Sequence, residues 1–448
     1  MKVPLLPPLL DPLMAKVNGQ IFGALVQAQV GVTVKGVYLH WDDLRHREPP
    51  EGLSHEFWWM GIRLARQSVF QTLPLFDKTG RGFVFGLPEA AQIHLHHIDQ
   101  DAVGTLRSAS EVVTPAHRDE YVLRSLIEES ITSSQLEGAS TTRKVAEAML
   151  REGRKPRTHD EQMIFNNFRT MRVIQGFREE PFTPERILEV HRWVTGETLK
   201  DPADEGRFRN SDDVQVVNSD DGTLLHQPPP YPELPERLKR LCAFANAPES
   251  DRPFVHPVLR AILLHFMIGY DHPFSDGNGR TARALFYWSM LRSGYWLTEF
   301  ISISQILKQA PAQYGRAYLC TETDGGDTTY FLLHQLETIR RALDALQAFL
   351  ARRKREQQGL ERLLRPGSKL GSTLNHRQRA LLAHALRHEE DAYTIRGHQK
   401  LHDVAYQTAR TDLLALAEMG LLEQAKQGKA MVYSAPPNLK QRLANQDS

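Results

Sequence analysis

The stretch Asp271–Arg283, "DHPFSDGNGRTAR", gathers an imidazole, carboxylates, a Gly-Asn-Gly triplet and two arginines just after an apolar run. Glycine tolerates positive φ and carries no side chain, so backbone N–H groups around Gly277, Asn278 and Gly279 can converge on an anion. A helix, "RTARALFYWSMLR", opens at this point and adds the positive end of its dipole. Such a nest suits phosphate. Asp276 would repel phosphate unless a divalent cation joined them, as Mg²⁺ does with one carboxylate and phosphate oxygens. Arg280 and Arg283 lie near one face of the same helix and offer fork-type hydrogen bonds to further phosphate oxygens. His272, on the loop before the nest, is placed to take a proton from an incoming hydroxyl. Phe274, flanked by polar residues, is expected to anchor the loop in the core. A capped helix–loop–helix turn would account for D-G-N-G alone, but not for the whole set together.

The elements that must hold these residues are mostly helical. "HPVLRAILLHFMIGY" puts Leu259, Ile262, Leu263, Phe266 and Tyr270 on one face, predicting a core helix that leads into the loop. Further upstream, "RDEYVLRSLIEESITSSQLEG" (118–138) spaces Leu123, Ile127 and Ile131 four apart and ends at Gly138, a C′ glycine. Thr183 and Pro184 supply an N-cap and a first-turn proline for another helix. Between helices, the run Val214–Val217, the Asp221-Gly222 turn and the pair Leu224-Leu225 predict a hairpin over about 212–228.

Residues 1–112 mix strand-like runs, "VTVKGVYLHW" and "RGFVFGL", with turns, and are expected to form a small α+β region. "GRGFVFG" departs from G-x-G-x-x-G spacing and reads as a hairpin turn. His94, His96, His97 and Asp99 lack the spacing of a metal site. After 113–345, a charged helical linker (346–370) breaks at Pro366-Gly367. The tail, 371–448, runs helix, short helix, helix and two short strands, the order of a winged helix. Thr408, Arg410 and Thr411 would start its recognition helix, with Lys426 and Lys429 on the wing. Acidic neighbours such as Asp391 and Asp403 temper the expected phosphate attraction.

Bulk composition constrains partners rather than chemistry. The 448 residues carry a net charge of +1, with 24% charged and 41% hydrophobic, so no global field draws in nucleic acid or membrane. Cys242 and Cys320 have no metal-type spacing and suit a reducing compartment. The proline-broken N-terminus does not read as a signal peptide, and no stretch reaches a membrane span. A soluble, cytoplasmic protein is expected.

"HPFSDGNGRTAR" resembles the signature of Fic-domain proteins, H-P-F-x-[D/E]-G-N-G-R-x-x-R, at every defined position, and the likeness extends over roughly Pro115 to Ala345. The resemblance implies a mainly α fold, with a Fic-type helical core and a β-hairpin flap between the α+β region and the winged helix. It implies transfer of AMP from Mg-ATP to a Tyr, Thr or Ser hydroxyl of a protein. His272 would be the general base, Asp276 the Mg²⁺ ligand, Gly277-Asn278-Gly279 the nest, and Arg280 and Arg283 phosphate contacts. Tyr314 falls near the adenine position, where core packing is an equal reading. The flap, with Leu225, His226 and Gln227, would align a target peptide by strand addition. "SSQLEG" is similar to the family's inhibitory pattern [S/T]-x-x-x-E-[G/N], so Ser133, Glu137 and Gly138 would belong to an inhibitory helix (118–138). Glu137 would pair with Arg283 and put negative charge where phosphate must sit. Partners expected are target proteins including the chain itself, DNA through the tail, and a second copy in a homodimer, with no membrane. Removal of AMP by a water oriented on Glu137, or a DNA-binding regulator that senses nucleotide, are the alternatives on the same residues.

Overall fold

The computed structural model describes residues 2–101, 115–218, 221–363, 369–386, 391–427 and 430–447. The chain is mainly helical and divides into two compact units, Met1–Leu346 and Gln347–Ser448.

The first unit is built on two helices, α6 and α7 in chain order. Before them come α1 (His55–Gln67), α2 (Glu89–Asp99), α3 (Pro115–Leu136), α4 (Pro184–Thr195) and α5 (Leu234–Asn246). Helix α6 spans Pro257–Asp271 and α7 spans Asn278–Arg292. One buried face is expected for α6, but Val258, Leu264, Met267 and Ile268 on its other sides are buried as well. Neighbours wrap it completely, which is why the run is apolar nearly all round. Thr183 caps α4, its Oγ1 accepting from the Arg186 amide at 3.2 Å, with Pro184 in the first turn.

The hairpin of β1 (Gln71–Phe76) and β2 (Gly82–Phe85) pairs Gln71 with Phe85 and Phe76 with Gly82, with a register shift between. Period-two alternation sends Leu73, Leu75, Phe83 and Phe85 into the helical core. Phe83 meets Phe266 and Tyr270 of α6 edge-on, at centroid distances of 5.3 and 5.1 Å.

"VTVKGVYLHW" does not form the expected strand. Val34 and Val37 make an isolated bridge around Lys35 and Gly36, both at positive φ. The carbonyls of Val32 and Leu39 accept instead from Arg66 of α1, at 3.0 and 2.8 Å. That guanidinium is fully buried, lies 3.6 Å over the Tyr38 ring and donates to the Tyr330 hydroxyl at 2.7 Å. A side chain thus satisfies backbone groups that a ladder would otherwise serve.

Helices α8 (Ile303–Gln309) and α9 (Pro311–Thr323) complete the surroundings of the loop. Helix α10 spans Thr329–Leu363. In the second unit, α11 (His376–Ala385), α12 (Ile395–His402) and α13 (Tyr406–Glu418) pack with a sheet of order β5-β7-β6. Its strands are β5 (Ala392–Thr394), β6 (Glu423–Gln427) and β7 (Ala430–Ser434), all antiparallel. Leu382, Leu413, Leu416, Leu421 and Leu443 form its own core. At its centre the Asp412 carboxylate accepts from Asn375 Nδ2 at 2.6 Å and Arg377 Nε at 2.7 Å.

Replacing Arg66 by Ala should destabilise the protein by about 3–5 kcal/mol, because Asp324, 3.9 Å from it, and two carbonyls lose a buried partner. Denaturant unfolding checks this, and a loss under about 1 kcal/mol would mean that water replaces the guanidinium.

Candidate functional site

Helix α6 ends in a left-handed residue, and that residue is His272, at φ 43°. A non-glycine residue there needs support from its surroundings. Its amide donates to the Ile268 carbonyl at 3.1 Å, and its carbonyl accepts from Arg209 Nε at 3.1 Å. The imidazole Nδ1 lies 3.3 Å from the Gly269 carbonyl oxygen. A carbonyl only accepts, so Nδ1 carries the proton and Nε2 keeps its lone pair. Burial pushes the imidazole down to about 4, so it is neutral at ordinary pH.

Two side chains fix the loop beyond. Phe274 is fully buried and stacks on His191 of α4, centroids 3.8 Å apart and planes 10° from parallel. His191 Nδ1 accepts from the Gly206 amide at 3.0 Å, leaving Nε2 to donate to the Asp276 carbonyl at 2.9 Å. The Asn278 amide group bonds both backbone groups of Phe274, at 3.0 and 2.9 Å. Its side chain therefore clamps the loop, while its backbone opens α7.

The two glycines answer different needs. Gly277, at φ 80°, caps α7, and a Cβ there would come 2.4 Å from Thr195 Cγ2. At Gly279 a Cβ would come 2.1 Å from Glu137 Oε1. The space expected for a ligand beside the glycine holds a carboxylate from α3. Glu137 Oε1 accepts from Arg283 Nη2 at 2.8 Å, and Ser133 takes the same guanidinium through its Oγ (2.7 Å, from Nε) and its carbonyl (3.0 Å). Gly138 follows at φ 95° and ends the turn. Burial alone would lower the Arg283 guanidinium, but the Glu137 charge holds it above its ordinary range.

Arg280 is completely buried and donates from Nη1 to the Val194 carbonyl at 3.1 Å. Its Nε and Nη2 make no hydrogen bond, although Asp276 Oδ2 lies 3.6 Å from Nη2. A buried guanidinium with unsatisfied donors fits an anion at the nest. The Asp276 side chain is 55% exposed and takes the Gly277 amide. One exposed carboxylate beside a phosphate nest fits Mg²⁺, which completes its shell with phosphate and water oxygens. It does not fit a closed protein centre, and no cluster of three metal-ligating side chains occurs among the described residues.

The flap is a short hairpin of β3 (Val216–Val217) and β4 (Leu224–His226), with Val216 opposite His226 and Val217 opposite Leu224. Leu225 and Gln227 are half-buried, and Gln227 Oε1 accepts from Gln215 at 2.8 Å. His226 turns inward, its Nε2 meeting the Tyr270 carbonyl at 2.6 Å and its Nδ1 meeting Glu322 at 2.8 Å. Arg209, which carries no motif in the sequence, ties the flap to the loop. Besides His272 it bonds the Ser211 carbonyl at 2.6 Å, Asp212 at 2.7 Å and the Pro229 carbonyl. Tyr314 donates or accepts with His265 Nε2 at 2.7 Å inside an aromatic cluster with Tyr318 and Phe331, beside Arg283. In the second unit Thr408 is half-buried and Arg410 and Thr411 are exposed on α13, while Lys429 lies outside the described residues.

Burial pushes the Cys242 and Cys320 thiols up to about 12, so neither is a nucleophile at neutral pH. No described helix is long and apolar enough to cross a membrane.

Residues 181–290 match the Fic/DOC family. The chain is 28% identical over 245 residues to a protein adenylyltransferase Fic of Drosophila grimshawi, covering 52% of this chain and 48% of that one. It is 39% identical over 120 residues to the protein of the same name in Nematostella vectensis, covering 26% and 25%. It thus spans between a quarter and a half of these curated relatives. A crystal structure of a Fic family protein from Desulfovibrio desulfuricans G20 superposes with a TM-score of 0.51 at 17% identity, covering 78% of this chain and 96% of that one, a likeness of fold. The His272–Arg283 loop, helix α6, nearly all of α7 and the hairpin before them lie within the segment that matches the Fic/DOC family.

Proposed function

We propose that this protein is an adenylyltransferase that moves AMP from ATP to a Tyr, Thr or Ser hydroxyl of a protein. One observation carries the reading: a neutral His272 stands beside a nest whose two buried arginines, Arg280 and Arg283, call for anionic partners. His272 Nε2 takes the hydroxyl proton as that oxygen attacks the α-phosphorus, and the bond to pyrophosphate breaks. The nest, Arg280 and Arg283 would hold the phosphates, and Asp276 would hold Mg²⁺, which would supply positive charge at the phosphate oxygens. Leu225 and Gln227 on the flap present the target segment. The two curated adenylyltransferases it resembles support this reading, as does the fit of Asp276 to a phosphate-bridged cation.

In the same reading Glu137 is inhibitory. Its carboxylate fills the space over Gly279 and takes the guanidinium that the γ-phosphate needs. A nucleotide bound around it is misplaced for in-line attack, and misalignment of reacting atoms is costly.

A second reading concerns 371–448. The order α11, β5, α12, α13, β6, β7 supports a winged helix. Arg396, Lys400, Arg410 and Lys426 are exposed and make no ion pair among the described residues, which favours contact with DNA phosphates.

His272→Ala should cut transfer by about 10²–10⁴ while ATP affinity stays near wild type, as measured by labelled transfer and nucleotide titration. The base acts when deprotonated and its free-protein value is about 4, so activity should hold as pH falls through the ordinary histidine range and drop only near 4. A kcat/KM profile of the free enzyme with an acid limb at about 6.5 would remove His272 from this role.

Glu137→Gly should raise transfer, first visible as self-modification. Adding it to Arg283→Ala should restore nothing, since the cation it frees is gone. Unchanged transfer in a folded Glu137→Gly protein would make "SSQLEG" a plain helix end.

For the tail, Arg410→Ala in the full chain should weaken DNA binding and reduce its logarithmic salt slope by about 1. An intact protein that ignores DNA at low salt would assign the unit to protein contacts.

A further inference from the structure

Glu129 takes no part in the proposed chemistry, yet its carboxylate is buried, at 2% exposure, and densely bonded. Oε2 accepts from the Tyr287 hydroxyl at 2.9 Å, Ser302 Oγ at 2.8 Å and the Ser304 amide at 3.1 Å, while Oε1 takes Ser304 Oγ. Glu129 and Ser133, four residues apart, share one face of α3, and Glu137, four further on, lies in the turn directly after its last residue, Leu136. Tyr287, Arg283 and Gly279 recur in the same way along α7. The contacts pair them in reverse order: Glu129 with Tyr287, Ser133 with Arg283, and Glu137 with Arg283 over Gly279. The two helices therefore cross this seam antiparallel, and its rungs differ in kind. The Glu129 rung is buried and bonded to two further residues at the start of α8. The Glu137 rung is one bond at a helix end, with the side chain 26% exposed.

We propose that Glu129 is a positioning residue that fixes the register of α3 on α7 so that Glu137 reaches Arg283, and that relief of inhibition is confined to the turn that follows α3. The proposal rests on the inhibitory reading of Glu137. A helix rises about 1.5 Å per residue, so a slip of one residue carries Glu137 beyond hydrogen-bond reach of Arg283. Breaking the Glu129 rung strands a buried carboxylate, whereas the Glu137 bond opens toward solvent. An incoming phosphate then replaces Glu137 while Ser133 keeps Arg283 oriented.

The test uses the full chain with Glu129→Ala, Glu129→Gln, Glu137→Gly and the Glu129→Ala/Glu137→Gly pair. It reads labelled AMP transfer from Mg-ATP and affinity for a fluorescent ATP analogue. Glu129→Ala should raise transfer by roughly 2- to 150-fold, the range of coupling between residues of one network, and tighten the analogue. Glu129→Gln should stay within about twofold of wild type, because the amide keeps an acceptor oxygen and the Ser304 hydroxyl can turn to accept. In the Glu137→Gly background Glu129→Ala should add nothing, since it acts through Glu137. Ser304→Ala, which removes a partner from the other side, should move in the same direction and serves if Glu129→Ala does not fold. Release by Glu137→Gly together with unchanged or lower transfer in Glu129→Ala and Ser304→Ala overturns the positioning role and leaves the inhibitory reading intact. So does a further change of rate in the pair. No release by Glu137→Gly overturns the inhibitory reading itself.

Discussion

A guanidinium at 2% exposure cannot remain unpaired, and the site is organised around that constraint on Arg283. Desolvation makes a lone buried cation expensive, so something anionic must stand against it. Ser133 supplies neutral acceptors that orient the group, and Glu137 supplies the charge. In the proposed reaction the γ-phosphate supplies the charge instead. Two anions then compete for one cation, and an inhibitory carboxylate and a substrate phosphate become alternatives by electrostatics alone. The same constraint accounts for Gly279, where any Cβ would collide with the carboxylate that completes the pair.

The geometry of the proposed site is inherited from the core rather than from the loop's own preferences. His272 holds a left-handed conformation that a histidine seldom adopts, and its neighbours enforce it. Phe274 pins the chain from inside, His191 and Asn278 hold its backbone, and Arg209 bonds its carbonyl. Arg209 also grips both ends of the flap segment, so the surface proposed to present the hydroxyl and the imidazole proposed to deprotonate it share one support. Loss of a support in this set would act on alignment more than on binding.

The parts of this arrangement legible in the sequence are those whose chemistry is local. His272, Asp276, Gly277–Gly279, Arg280 and Arg283 stand within one short stretch, and the proposal of a phosphate nest with a base beside it draws on their types at that spacing. The Asp221-Gly222 hairpin and the Thr183-Pro184 helix start are local in the same sense. Illegible were residues whose role arises from tertiary approach. His191 reads as one residue of an amphipathic helix, and only its stack on Phe274 makes it a prop. Arg209 reads as a solvated charge in the polar sequence "GRFRNSDD", yet it is 4% exposed. Near the N-terminus, β-branched residues around Val34 favoured a strand, but Arg66 took the carbonyls that a ladder would have used. Alternation in a short run states a preference for a half-buried surface; the neighbour that supplies the hydrogen bonds decides the outcome.

The paired glutamates of α3 show how one helix can hold both a fixed and an exchangeable contact. Their chemistry is the same, and their environments differ. Glu129 is enclosed, so its bonds have no water to fall back on and exchange is costly. Glu137 directly follows the last residue of the helix, Leu136, and precedes Gly138, with solvent reaching part of its side chain, so its bond to Arg283 trades against water or phosphate. Burial graded along one face turns a rigid element into a lever with a fixed end and a free one. The free end lies over Gly279, where the proposed reaction needs an anion to be removable.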